Sequence, residues 1–301
     1  MRISVIIPTL DAENQLPGLL ENLNHQNPMP YEIIVVDTCS TDRTQEIAKK
    51  YKCKTLSIQK KDFSHGRSRN LGADFATGDI LVFLTQDALP LQQDFLKQLI
   101  KPIQAGVAAA TARQIPFPDA TPIESFSRKF NYPDQSQIRT IHDLPEYGIK
   151  TFFFSNSASA ICQDIFLANG GFAEDLIVDE DLEFCARLLN SGESVKYCAE
   201  AKIYHSHNYT LPQHFHRFFD IGVFFSQAGD LLDGIETNSE GFRYLYKAAH
   251  YLAQYHYFYL IPRLVLETII KFTSFNIGKL HSYLPNGLNK LLSGQKYYWE
   301  I

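Results

Sequence analysis

Three short apolar runs, each followed by a helical pattern, constrain this chain more than anything else in it. Ile3–Pro8 is nearly all apolar, Glu32–Asp37 carries Ile33 to Val36, and Asp79–Thr85 carries Ile80 to Leu84. Runs of this length without polar alternation suit strands covered on both faces. Between them, Glu13–Asn24 places Leu16, Leu19, Leu20 and Leu23 at helical spacing. Thr38-Cys39-Ser40-Thr41-Asp42 supplies turn and capping residues for a helix through Lys50, Thr55–Ser57 reads as a short strand, and Arg67–Ala76 reads as a helix ended at Gly78. This alternation predicts a mostly parallel α/β sheet with helices on both faces. Right-handed crossovers then bring Pro8, Asp37 and Asp87 to one edge, the carboxyl edge where open α/β sheets bind ligands.

Further along, Leu91–Ile103 reads as a helix and Gly106–Arg113 as a strand. Residues 114–150, proline-bearing and mixed in polarity, yield no assignment. Phe152–Ile161 is apolar and β-prone, Gly170-Gly171-Phe172 makes a turn, and Glu180–Asn190 reads as a helix ended by Gly192. Val195–Ala199 and Ala201–Tyr204 read as two short strands. From about Leu211 the segments become helix-like and rich in Phe, Tyr and His. The expected division is an α/β domain over 1–210 and a C-terminal helical region over 211–301.

The 301 residues, 45% hydrophobic and 20% charged, are those of an ordinary globular chain, and a net charge of -5 gives no reason to expect nucleic acid as a partner. Cys39, Cys53, Cys162, Cys185 and Cys198 form no Cys-x-x-Cys pair, which suits reduced thiols of a cytoplasmic protein. The apolar start is too short for a signal peptide, and no apolar run approaches the ~20 residues that cross a bilayer.

Four constellations carry candidate chemistry. Pro8-Thr9-Leu10-Asp11-Ala12-Glu13 with Val36-Asp37-Thr38-Cys39-Ser40-Thr41-Asp42 forms a crevice of strand ends and helix starts that suits a nucleotide. No GxGxxG or GxxxxGK[ST] follows either strand, so neither a dinucleotide site nor a P-loop is signalled; the plain alternative is two capped helices. Phe63-Ser64-His65-Gly66-Arg67-Ser68-Arg69-Asn70 offers guanidinium groups for phosphate, or a solvated helix start. Asp87 with His205, within Ile203-Tyr204-His205-Ser206-His207-Asn208-Tyr209, offers a carboxylate and an imidazole for Mg²⁺ or Mn²⁺, although structural histidines are commoner than ligands. His205 and His207 face the same way if the segment is extended. Finally, Asp179-Glu180-Asp181 opens a helix, where carboxylates serve as caps and one can also serve as a general base.

As a set these motifs resemble an inverting glycosyltransferase of family 2 with the GT-A fold, over roughly residues 1–225. More narrowly, Phe63-Ser64-His65-Gly66 with Arg69-Asn70, Thr85-Gln86-Asp87-Ala88, Ser155-Asn156 and His205-Ser206-His207-Asn208-Tyr209 resemble the rhamnosyltransferase branch, which uses dTDP-L-rhamnose to build cell-surface polysaccharides. The resemblance implies a nucleotide-sugar donor, dTDP-L-rhamnose favoured, a saccharide or lipid-linked saccharide acceptor, and a divalent metal. It implies that Asp37 contacts the pyrimidine, that Pro8, Thr9 and Glu13 line the nucleotide pocket, and that Arg69 and Gln86 lie at the donor. Asp87 would hold the metal with His205 approaching from the far side, and Asp181 would be the general base with Glu180 beside it. Many members carry Asp-x-Asp where this chain has Thr85-Gln86-Asp87, so one motif carboxylate remains for the metal.

Rival readings make different demands. A nucleotidyltransferase would need a glycine-rich basic loop after the first strand, and a non-catalytic nucleotide-sugar scaffold would lack Asp87 or Asp181. A family 2 enzyme using a UDP- or GDP-sugar is the alternative within the family. The aromatic and basic stretches His214-Phe215-His216-Arg217, Tyr244–Tyr259 and Leu260–Phe275 read either as a surface resting on the inner face of a membrane or as a packing or homodimer element.

Overall fold

A computed structural model describes residues 1–232 and 238–300. Its centre is one nine-stranded mixed sheet. Strand β1 (Ile3–Thr9) lies parallel to β2 (Glu32–Asp37), and β3 (Lys54–Ser57) extends the sheet beyond β2. On its other side β1 is parallel to β4 (Ile80–Leu84). The register sets Thr9 opposite Asp37, so the expected carboxyl edge forms there.

The antiparallel strands of this sheet lie in its second half. After β5 (Leu89–Pro90), β6 (Ala109–Ile115) and β7 (Gln137–Arg139), β8 (Ala158–Cys162) inserts antiparallel between β4 and β6. An apolar run carries no direction, so the sequence pattern is silent on this reversal. The two short strands expected near residue 200 are one, β9 (Val195–Tyr204), parallel to β6. Pairing jumps from Ala112↔Cys198 to Arg113↔Lys202, and this irregularity absorbs exposed Glu200, the residue that looked like a break. β5 and β7 both pair antiparallel with β9.

Helices cover both faces. These are α1 (Leu16–Asn24), α2 (Thr44–Lys50), α3 (His65–Asp74), α4 (Phe95–Gln104), α5 (Pro122–Asn131), α6 (Leu144–Tyr147), α7 (Gln163–Ala168) and α8 (Glu180–Asn190). α1 starts at Leu16, not Glu13, because Ala12–Gln15 form a turn in which the Gln15 and Leu16 N–H groups donate to the Ala12 carbonyl. α4 starts at Phe95, not Leu91, because Leu89 and Pro90 are taken by β9. Of the run Phe152–Ile161, only its end is strand, since Ser155-Asn156-Ser157 turns out as a polar loop. The unassigned stretch holds α5, whose first turn is capped by Thr121.

Period-2 alternation sends Ile3, Val5 and Ile7 toward α1 and α4, while Ile6 joins Val36, Phe83, Phe166, Phe172 and Phe184 on the other face. That second face is completed by α9 (Leu211–Gln227), which contributes Phe219, Val223 and Phe224. Three further helices follow, α10 (Asn238–Gln254), α11 (Ile261–Lys279) and α12 (Asn286–Leu292). α11 crosses α9 at Gly222 and Gly278, where a Cβ would lie 2.1 Å from the Phe275 or the Phe219 carbonyl oxygen. Buried Asp220 of α9 accepts hydrogen bonds from the Ser293 hydroxyl and the Gly294 N–H, which fasten the end of the chain to the body.

Candidate active site

The ends of β1 and β2 form a loop system that its own carboxylates hold in shape. Asp37 is fully buried and accepts from the Thr9 hydroxyl (3.2 Å), the Ser40 N–H (3.0 Å), the Ser40 hydroxyl (2.5 Å) and the Gln45 amide (2.7 Å). That set fills the acceptor capacity of a carboxylate. Asp11 accepts from the Thr41 N–H, Asp42 from the Glu13 and Thr44 N–H groups, and Glu13 from the Arg43 N–H. Burial pushes the Asp42 carboxyl up, but the Thr44 hydroxyl and these N–H groups outweigh it and hold the pKa below its ordinary value. Pro8 lies opposite Val36. The atom left over at the end of β2 is the buried Thr38 hydroxyl, which has no hydrogen-bond partner. Sequence reasoning singled out Asp37; the unpartnered Thr38 beside it emerges only once every acceptor is accounted for.

Gln86 ties this loop to the next site, since its side chain accepts from the Leu10 N–H (2.9 Å) and donates to the Leu10 carbonyl (3.2 Å). The turn Thr85–Ala88 follows β4, and pairing of Leu89 with Tyr204 carries Asp87 against the end of β9. There His205 Nε2 lies 3.6 Å from Asp87 Oδ1, His207 Nε2 lies 3.4 Å from Asp87 Oδ2, and the two Nε2 atoms are 3.3 Å apart. His205 Nδ1 is 2.9 Å from Gln114 Oε1, which also receives the Arg128 guanidinium and is therefore an acceptor. Nδ1 must carry the proton, which leaves the Nε2 lone pair facing Asp87 and His207. Burial, with Arg128 and Arg217 adding to it and Asp87 opposing, lowers both imidazoles, His205 to about 3. Two neutral nitrogens and a carboxylate oxygen within 4.8 Å of one another, one ring oriented by an outer hydrogen bond, fit a divalent cation. His207, paired with His205 only by spacing in the sequence, is the third donor.

The third part of the site is the start of α8. Asp179 takes a left-handed conformation (φ 59°), a region that aspartate tolerates better than most residues, and turns the chain into the helix. Buried Glu180 lies 3.0 Å from the equally buried Arg69 and accepts from the Asn156 side-chain amide at 3.1 Å. Burial opposes its charge, but Arg69, His65 and Asn156 keep its pKa lowered. Asp181 accepts from the Asn156 N–H (2.8 Å) and the Leu182 N–H (2.9 Å). Burial, then the charges of Glu180 and Asp179, raise its carboxyl to about 7. Arg69, expected beside the nucleotide, is thus the counter-ion of Glu180, and the loop residue Asn156 grips both carboxylates.

Beyond His207 the surface opens into a groove of about 480 Å³ lined by Phe117, Asp119, Tyr209 and Gln213 among others. An aromatic pair flanked by a carboxylate and an amide has the chemistry that contacts a sugar ring.

Comparison with known proteins accords with this geometry. The model of the family described as Glycosyl transferase family 2 matches residues 4–168. An O-antigen chain rhamnosyltransferase of Salmonella typhimurium is 37% identical over 99% of this chain and 96% of its own length. A second O-antigen chain rhamnosyltransferase, from Salmonella anatum, is 36% identical over 98% and 95%. Among solved structures, a mannosyltransferase from Pyrobaculum calidifontis in complex with GDP-Man and Mn²⁺ superposes with a TM-score of 0.58 at 16% identity, covering 99% of this chain and 84% of that one. TarS of S. aureus in complex with UDP-GlcNAc gives 0.55 at 17% identity, covering 94% and 91%. The sheet and its flanking helices are those of the GT-A fold, and the chain belongs to glycosyltransferase family 2, as an enzyme of its rhamnosyltransferase-like branch.

Proposed function

We propose that the protein transfers L-rhamnose from dTDP-L-rhamnose, with inversion, to a hydroxyl of a saccharide or lipid-linked saccharide acceptor in O-antigen assembly. The observation that carries the reading is the Asp181 carboxylate, held by Asn156 and raised to about 7 beside an ionised Glu180–Arg69 pair. A base with a pKa near the working pH combines an adequate ionised fraction with proton affinity. Asp181 takes the proton of the acceptor hydroxyl as that oxygen attacks the anomeric carbon from the face opposite the diphosphate. Glu180 keeps Asp181 basic, and Arg69 keeps Glu180 charged.

On the donor side, Asp37 shapes the loop, Thr9, Pro8 and Glu13 belong to its walls, and Thr38 offers a free hydroxyl to the base. Asp87, His205 and His207 would hold the divalent cation, which when bound supplies charge stabilisation to the departing diphosphate. Two imidazole nitrogens beside one carboxylate suit Mn²⁺ better than Mg²⁺, whose preference is for oxygen. The groove at Phe117 and Tyr209 lies on the acceptor side. In this reading residues 1–210 form the catalytic body. Among the described residues no helix is long and apolar enough to cross a membrane, and the reading places the enzyme in the cytoplasm, at the inner face of the membrane that carries its acceptor.

Donor choice is tested by thermal shift with dTDP, UDP and GDP, each with Mn²⁺, Mg²⁺ or chelator, because a ligand that binds only the native state raises its stability. The largest shift is expected for dTDP with Mn²⁺. A response confined to GDP would overturn the rhamnosyl assignment while leaving the base assignment intact.

A further inference from the structure

Helix α11 buries one face and leaves an apolar stripe on the opposite one. Leu264, Glu267, Ser274 and Gly278 are buried on the side turned to the rest of the protein, where Leu264 packs with Ile123, Phe126 and Leu252, Glu267 meets His214 and Gly278 meets Phe219. The opposite side presents Val265 (41% exposed), Leu266 (45%), Ile269 (57%) and Phe272 (62%). At 100° per residue these four fall within one arc of the helix. The turn that leads into α11 adds Phe258 and Tyr259, exposed by 62% and 66%. An outward apolar stripe on a helix whose other face is already packed marks a contact surface, so it calls for an occupant.

Charge points to which one. The chain as a whole has a net charge of -5, yet residues 238–300 hold seven Lys and Arg against three Asp and Glu. Of those acids, Glu267 is buried between His214 and Arg263, and Glu300 is paired with Lys290. Lys247, Lys279 and Lys296 are exposed. The cationic excess is thus confined to the segment that carries the apolar stripe. Two copies meeting through this region would set like charges together, whereas an anionic lipid surface complements both features.

We propose that the α10–α12 region is a membrane-docking surface. The side chains Phe258, Tyr259, Val265, Leu266, Ile269 and Phe272 enter the interfacial layer of an anionic bilayer, and Lys247, Lys279 and Lys296 contact its headgroups. This inference stands apart from which sugar is transferred.

The test is co-sedimentation of the full chain with vesicles of phosphatidylethanolamine and phosphatidylglycerol, or of phosphatidylcholine alone, with light scattering of the protein in solution. Binding is expected to the anionic vesicles, much weaker binding to phosphatidylcholine, and partial release in high salt. At about tenfold per 1.4 kcal/mol, Lys247→Glu/Lys279→Glu/Lys296→Glu should weaken binding by roughly 100-fold or more. Ile269→Ser/Phe272→Ser should weaken it by on the order of 10-fold or more with an unchanged melting temperature, since both side chains already face solvent. The proposal is overturned if the parent chain ignores anionic vesicles or if the serine pair leaves binding unaltered. It is equally overturned if the chain is a solution dimer that the serine pair dissociates without any vesicle binding.

Discussion

The two walls of the cleft use carboxylates in opposite ways. On the wall made by β1 and β2, Asp37 has four donors and no exposed surface, and Asp11, Asp42 and Glu13 each accept loop N–H groups. On the wall made by α8, three successive acids stand together, buried Arg69 is paired with Glu180 among them, and Asp181 is left with a pKa raised to about 7. Saturated carboxylates stabilise a shape, while an undersatisfied one retains affinity for a proton. Under the proposed mechanism, the contrast separates residues that shape the loop from the residue that would react.

The sharpest way to break this contrast is to remove the member proposed to react. Asp181→Asn should lower kcat by roughly 10²–10⁴-fold while donor binding, followed calorimetrically, stays near the parent value. Transfer at the parent rate would return Asp181 to the role of a cap. The matching change on the other wall should act on stability instead. Asp37→Ala leaves the buried Thr9 hydroxyl and the half-buried Ser40 and Gln45 donors without their acceptor, so unfolding in urea should show a loss of about 3 kcal/mol. Asp181→Asn, by removing repulsion with Glu180, should leave stability equal or slightly higher in the same assay.

A smaller effect is expected where the cation site is supported from behind. Gln114→Leu removes the acceptor that orients His205 and should weaken Mn²⁺ affinity by about 10–100-fold, read by titration of the metal without any acceptor present. Unchanged affinity would show that His205 needs no such support.

The pH profile gives the smallest shift and the finest discrimination. Activity should fall below about pH 7 as Asp181 becomes protonated. Glu180→Gln should move that limb to lower pH, because the charge that raises Asp181 is gone. Stability responds with opposite signs on separate parts of the molecule. Asp181 binds its proton more tightly in the folded state, so its contribution is complete below the ordinary value of 3.8 and is lost as pH rises through about 7. Glu32 is the reverse case. Burial pushes it up, but Lys54, Ser4 and Thr77 outweigh this and hold it at about 2, so its contribution is present above 4.5 and lost as pH falls toward 2.

Much of this was legible in the chain because local patterns report local facts. The apolar runs located β1, β2 and β4, and Glu180–Asn190 was bounded by its acidic start and its glycine stop. Those strand ends also located the carboxyl edge. Other features depend on which distant segments meet. The antiparallel direction of β8 and the merger of two expected strands into β9 left no periodic trace, whereas α5 carries Ile123, Phe126 and Phe130 at helical spacing behind Thr121 and Pro122, a local signal that the mixed polarity around it obscured.

The sequence by itself determined the α/β class, the family and the residue types of the site, since spacing and side-chain chemistry are properties of the chain. Only the tertiary structure decided their division of labour. Arg69 and Glu180 are 111 positions apart and become a buried pair through packing, and Asn156 reaches Asp181 from a loop inside a run that reads as β-prone. Which carboxylate is saturated, which imidazole nitrogen is free and which face of α11 stays uncovered follow from distance and burial, and a linear order of residues contains neither.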